Sequence, residues 1–205
     1  MPLQNRVSPF GEIFATTARG TFMGNRGGAL HNGEREIVRR YASRRWITCV
    51  LEFRGRQRIV MSPNRYTELF FLDEAVSLAA GHRPCAECRH ERFGAFKHAW
   101  NPGREGFLYV DEIDRELHQA RIDRRKMKVT FSAPLNTLPD GCFVQIDGAC
   151  YLVWGDSLFR WTPHAYVEKR ERSGSAPVDV LTPEPLVRCL HNGFTPEVHR
   201  SFFEL

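Results

Sequence analysis

Apolar residues recur along the chain with two periods, and the switches between them mark out the elements. Thr67 to Leu72 is an aromatic-rich run of strand length. Asp73 then offers an N-cap oxygen with Glu74 in the first turn, where the helix dipole favours negative charge, and Gly81 offers a left-handed stop. A short helix is expected between them. Arg83-Pro84 holds the chain extended, and after Cys88 the spacing Phe93, Phe96, Trp100 predicts one face of a second helix.

On the N-terminal side, Ile13 to Phe22 reads as a strand leading into a glycine- and asparagine-rich stretch from Met23 to Gly33. That stretch suits either an irregular connector or a backbone cradle for an anion, and its spacing matches neither phosphate-loop fingerprint. Arg44 to Met61 is expected to form a hairpin, with Trp46 to Phe53 turning at Arg54-Gly55-Arg56 and returning as Gln57 to Met61. A three-residue turn there would set Cys49 opposite Met61 on the apolar face.

After Asn101-Pro102-Gly103 the pattern predicts a strand at Phe107 to Val110 and a helix capped by Asp111, with Ile113, Leu117 and Ala120 on one face. His118 and Arg121 lie three apart beside Glu116 and Asp114, which fits either an acid/base or phosphate-clamping group or a plain amphipathic helix. Lys126 to Ala133 reads as a strand. A meander follows: Cys142 to Ile146, Ala149 to Trp154, Ser157 to Trp161 and Tyr166 to Lys169, punctuated by Asp147-Gly148 and Gly155-Asp156. Val178 to Leu181 is a last strand, and Thr182-Pro183 opens a helix that runs through Leu190 and stops near Gly193.

The expected fold is therefore α+β: an N-terminal half with mixed strands and helices around the knuckle that carries Cys85 and Cys88, then a small antiparallel meander and a C-terminal helix. The regions are 1–103 and 104–205, as two units or one continuous domain. At 42% hydrophobic residues the chain can bury a core, and no apolar run approaches the roughly 18 residues of a membrane span. The N-terminus lacks an apolar signal core, so a cytoplasmic location and reduced thiols are expected for the six cysteines at 49, 85, 88, 142, 150 and 189.

Charge is unevenly spread. Residues 1–100 hold sixteen Lys and Arg against nine Asp and Glu, whereas the remainder is slightly acidic. Arg54, Arg56, Arg58 and Arg65 fall on or beside the expected hairpin, and Arg83 and Arg89 flank the paired cysteines. This group suits the phosphate backbone of a nucleic acid as partner, or a solvated charged face.

Cys85-Ala-Glu-Cys88 has the spacing that presents two thiolates to one tetrahedral Zn²⁺, and a helix beginning at Cys88 favours the thiolate forms. A redox pair and two ordinary buried cysteines are the competing readings. Further zinc ligands must come from elsewhere: Cys49 and His31 are the leading candidates, followed by His82, His90 and His118.

Residues 70–88, Phe-Phe-Leu-Asp-Glu-Ala-Val-Ser-Leu-Ala-Ala-Gly-His-Arg-Pro-Cys-Ala-Glu-Cys, resemble the second half of the zinc domain at the N-terminus of the Ada DNA-repair protein. The resemblance implies a strand, an Ala-rich helix and two of four cysteine ligands. The family's first cysteine pair, one of which accepts a methyl group from alkylated DNA phosphate, would fall between Arg54 and Arg65. No cysteine stands there. The chain as a whole also looks like a bacterial family of similar length, a likeness that implies no activity. Three functions fit: a zinc protein that contacts nucleic acid as a repair or regulatory accessory without methyl transfer, a zinc-dependent nuclease or phosphoesterase, and a structural or protein-interaction domain.

Overall fold

In a computed structural model that describes residues 1–57, 59–103 and 108–205, the chain builds two six-stranded sheets and four α-helices. The first sheet contains β1 (Gln4–Val7), β2 (Ile13–Ala15), β3 (Phe22–Asn25), β4 (Ile47–Val50) and β5 (Leu69–Phe71). Helix α1 (Glu74–Ala79) leads to its last strand, β6 (Arg83–Pro84), and to α2 (His90–Trp100). Helix α3 (Val110–Arg121) leads to the second sheet, made of β7 (Phe131–Pro134), β8 (Phe143–Ile146), β9 (Ala149–Trp154), β10 (Ser157–Trp161), β11 (Tyr166–Glu171) and β12 (Pro177–Val180). Helix α4 (Glu184–His191) and a 3₁₀ turn at Arg200–Glu204 end the chain.

The first sheet is mixed, in the order β2-β1-β5-β3-β4-β6, with β1–β5 and β4–β6 parallel. The second, in the order β11-β10-β9-β8-β12-β7, is antiparallel throughout. Its central strands are buried on both faces. Phe143, Cys150 and Leu152 point into a core shared with α1 and the first sheet, while Val144, Tyr151 and Val153 point into a core shared with α2, α3 and α4. The pleat assigns alternate residues to opposite faces, so one strand supplies both cores. Each core draws residues from either side of position 103.

Much of the predicted pattern is present. Asp73 caps α1 by accepting the Val76 N–H at 2.9 Å, and Gly81 takes φ +84° after it. Asp147 and Gly148 both adopt positive φ, as the tight turn between β8 and β9 demands.

Four expectations are corrected. The strand expected over residues 13–22 is two short strands, β2 and the start of β3, joined by irregular chain. The hairpin expected at Arg44 to Met61 does not form. β4 pairs instead with β3 on one edge and β6 on the other, which leaves no edge for a return strand, and Met61, at the end of the expected return strand, lies in the left-handed region. The strand expected at Phe107 to Val110 is absent from the described residues: Val110 opens α3, and Phe107 lies outside them. The strand expected at Lys126 to Ala133 begins only at Phe131, because residues 122–128 form a tight turn closed by an Ile122–Lys128 bridge. No described helix is long and apolar enough to cross a membrane.

Candidate metal centre

Three cysteines meet where β4, the end of β6 and the approach to α2 converge. In the parallel pairing of β4 with β6, Ile47 lies opposite Arg83 and Thr48 opposite Pro84. The pairing extends one residue further, since the Cys85 N–H donates to the Thr48 carbonyl at 2.9 Å. This sets Cys85 beside Cys49. The knuckle then folds back, the Glu87 N–H donating to the Cys85 sulfur at 3.4 Å and the Arg89 N–H to the Cys85 carbonyl at 3.2 Å. Cys88 is thereby brought to the same side.

The sulfurs of Cys49, Cys85 and Cys88 all lie within 4.8 Å of one another. A tetrahedral ion with Zn–S bonds of about 2.3 Å holds its sulfurs roughly 3.8 Å apart, so little adjustment separates this cluster from a closed thiolate site. All three are free thiols, and among the described residues no other group of three His, Cys, Asp or Glu side chains gathers in this way.

Electrostatics divide the three unequally. A hydrogen bond from Cys49, outweighing the cost of burial, lowers the Cys85 thiol to about 5, with the Cys88 and Glu87 backbone N–H groups helping. Cys88 is lowered too, by Cys49 first and by the Val50 backbone N–H. Cys49, whose single S–H is drawn on first by Cys85 and then by Cys88, is raised and keeps its proton. Cys85 and Cys88 thus both lean toward the thiolate form that a cation needs, and metal binding can displace the proton of Cys49.

The flanking arginines turn inward. Arg83 grips Asp114 of α3 with two 2.8 Å hydrogen bonds, both side chains almost fully buried. Arg89 bonds Glu74 of α1 at 2.7 Å and Glu197 at 2.6 Å, its guanidinium over the Phe22 ring. They fix β6 and the start of α2 against the rest of the molecule. As candidate nucleic-acid contacts they are therefore corrected: neither guanidinium faces solvent.

His31 is likewise not brought to the cysteines. It is buried, with Nδ1 2.6 Å from the Thr67 hydroxyl and Nε2 3.1 Å from the Ser62 carbonyl, so both ring nitrogens are engaged elsewhere. His82 lies in the core against Phe71 and Trp46, His118 packs on Tyr41, and His90 approaches the Ala86 carbonyl. Of the other arginines, Arg54, Arg56 and Arg65 are exposed on the 51–66 segment, Arg56 pairing with Glu87 of the knuckle at 2.6 Å. Arg58 lies outside the described residues.

A cleft of about 490 Å³ opens beside the centre, with Cys85 in its wall together with Asn25, Ser43, Arg45 and Glu87. Sequence reasoning missed a second concentration of charge, around Arg26, Arg121 and Lys128. Its one visible trace was the His118/Arg121 spacing on α3. No family model, curated protein or solved structure matches this chain.

Proposed function

We propose that the chain holds a zinc ion on Cys49, Cys85 and Cys88 and contacts nucleic acid through exposed arginines, among them Arg56, which pairs with Glu87 of the knuckle. The observation that carries the reading is the gathering of three sulfurs from two separate stretches of chain, with the thiols of Cys85 and Cys88 both lowered. Zinc is chosen by the donors, since soft thiolates select it over magnesium or calcium. The resemblance of residues 70–88 to the Ada zinc domain supports the same ion, with Cys49 on β4 supplying a ligand that the 54–65 stretch does not. Arg54, Arg56 and Arg65 support the second half, their exposed guanidiniums suiting phosphate oxygens.

Elemental analysis of the purified protein is expected to give one zinc per chain, with loss of most of it in Cys49→Ser, Cys85→Ser and Cys88→Ser. Cobalt substitution should add thiolate-to-metal charge-transfer absorption. Zinc well below stoichiometry in the wild-type chain would leave a domain with structural thiols. For the partner, mobility shifts with DNA and RNA at two salt concentrations should weaken steeply as salt rises. No shift at low salt would remove nucleic acid from the reading.

A second reading, zinc-dependent phosphoester hydrolysis, is favoured by one specific feature: the cluster offers three protein ligands and borders an open cleft. Against it, three thiolates leave the zinc complex with a net negative charge, which disfavours ionising a bound water. Turnover of a simple phosphodiester by the zinc-loaded protein, lost in Cys85→Ser, would establish it.

A further inference from the structure

Sharing no residue with the cysteine cluster, a second cavity of about 610 Å³ lies beside Trp46, which precedes β4. Its walls carry five cationic side chains, Arg26, Arg40, Arg121, Lys126 and Lys128, against a single carboxylate, Glu12. Arg26 and Arg121 are 2% and 1% exposed. Both guanidiniums lie over the same Trp46 ring, each 4.0 Å from its centre.

None of the three inner cations forms an ion pair with a described carboxylate. Arg26 donates to the Gly11 carbonyl at 2.9 Å, the Arg40 carbonyl at 3.3 Å and His82 Nε2 at 3.3 Å. Arg121 donates to the carbonyls of Gly81 at 2.8 Å and Arg44 at 2.6 Å and lies 2.9 Å from His118 Nδ1, while its Nε is buried with no partner. Lys128 donates to the Ala79 carbonyl at 2.6 Å. Carbonyl dipoles hold the groups in place but cancel none of their charge. Like charges brought out of water together oppose folding unless an anion joins them. Elsewhere in this molecule buried arginines do have carboxylates: Arg83 has Asp114 and Arg89 has Glu74. The contrast singles out this cavity.

We infer that the cavity binds a small phosphomonoester with a compact apolar body, its phosphate among Arg26, Arg121 and Lys128. A dianion matches the excess charge better than a carboxylate, and guanidiniums present paired donors to phosphate oxygens. Arg40 and Lys126, both exposed, stand at the rim where an incoming anion is first felt. The body is specified by Phe10, Ile13, Phe14 and Ile37, which line the same cavity, and the volume exceeds what a bare phosphate fills.

The experiment is calorimetric titration of the full chain with phenyl phosphate, inorganic phosphate and phenol. A 5′-phosphorylated and a 5′-hydroxyl oligonucleotide distinguish a free small molecule from a nucleic-acid end. Phenyl phosphate should bind more tightly than inorganic phosphate and at least about tenfold more tightly than phenol, as loss of charge-assisted hydrogen bonds requires. Lys128→Met, at a half-buried side chain whose loss leaves the arginine frame in place, should weaken phenyl phosphate about tenfold and leave phenol unchanged. Arg121→Gln should do the same if it folds by circular dichroism; if it does not, Lys128→Met and the three ligands decide. Binding of the phosphorylated oligonucleotide alone would move the site to a polymer end and overturn the small-molecule assignment. Equal binding of phenol and phenyl phosphate, no binding of any phosphate at millimolar concentration, or indifference to Lys128→Met would overturn the proposal itself.

Discussion

Hydrogen bonding from Cys49 to its two neighbours sets the chemistry of Cys49, Cys85 and Cys88. Because Cys49 donates and its neighbours accept, the metal-free protein should carry thiolate at Cys85 well below the pH where a free cysteine ionises, with its pKa at about 5. Alkylation of the metal-free protein, followed by mass spectrometry, should still proceed at pH 6, fall as pH drops through about 5, and move to higher pH in Cys49→Ala, which has no proton to donate. A profile unchanged by that substitution would remove Cys49 from the cluster. The Cys85/Cys88 spacing was visible in the sequence because it is local. The roles of Arg83 and Arg89 were not, because their carboxylates sit on α3, on α1 and at Glu197, and only the folded chain brings them near. Arg83→Ala strands Asp114 as an unpaired buried charge and is expected to cost about 3–5 kcal/mol in urea denaturation. A double-mutant cycle with Asp114→Asn should recover part of that loss.

Among the elements, β4 decides the position of the centre, and it does so through close backbone packing against β3. A side chain at Gly24 would overlap the Ile47 carbonyl and crowd the Phe71 ring. Gly24→Ala should therefore cost about 1–3 kcal/mol by overpacking and, by shifting β4, lower the zinc content as well. Full zinc occupancy in a destabilised Gly24→Ala protein would mean that the cysteines do not depend on this register. Elements with local signals were read correctly: Asp73 before α1, Asp147-Gly148 between β8 and β9, Pro183 and Gly193 around α4. The β4–β6 pairing was not legible, since a parallel contact between short strands leaves no turn residue to announce it. Cys49 was singled out through a hairpin that does not form; it reaches Cys85 through the parallel pairing of its own strand with β6.

Across the whole molecule, the central strands of the second sheet feed both cores, and buried polar contacts tie the chain end to the first sheet's helix. Asp73 sits at the middle of this tie. Beyond capping α1, its carboxylate accepts the Tyr166 hydroxyl at 2.8 Å and the His199 N–H at 3.0 Å. Burial nevertheless dominates those bonds and raises it to about 6, above the roughly 3.9 of an unfolded aspartate. The folded state therefore binds the proton more tightly than the unfolded state. The resulting stability is fully present below about pH 4, declines as pH rises through 6, and amounts to roughly 3 kcal/mol across that window. Glu74, adjacent and negative, pushes in the same direction, whereas the Tyr166 hydroxyl remains protonated throughout because burial and the Asp73 charge raise it further. Asp73→Asn removes the titration while preserving an oxygen for the Val76 N–H. Urea denaturation of both proteins at pH 4 and pH 7 cancels the other carboxylates in the difference. Wild type should gain on the variant by that amount at the lower pH, and an equal difference at both values would show that burial does not raise Asp73.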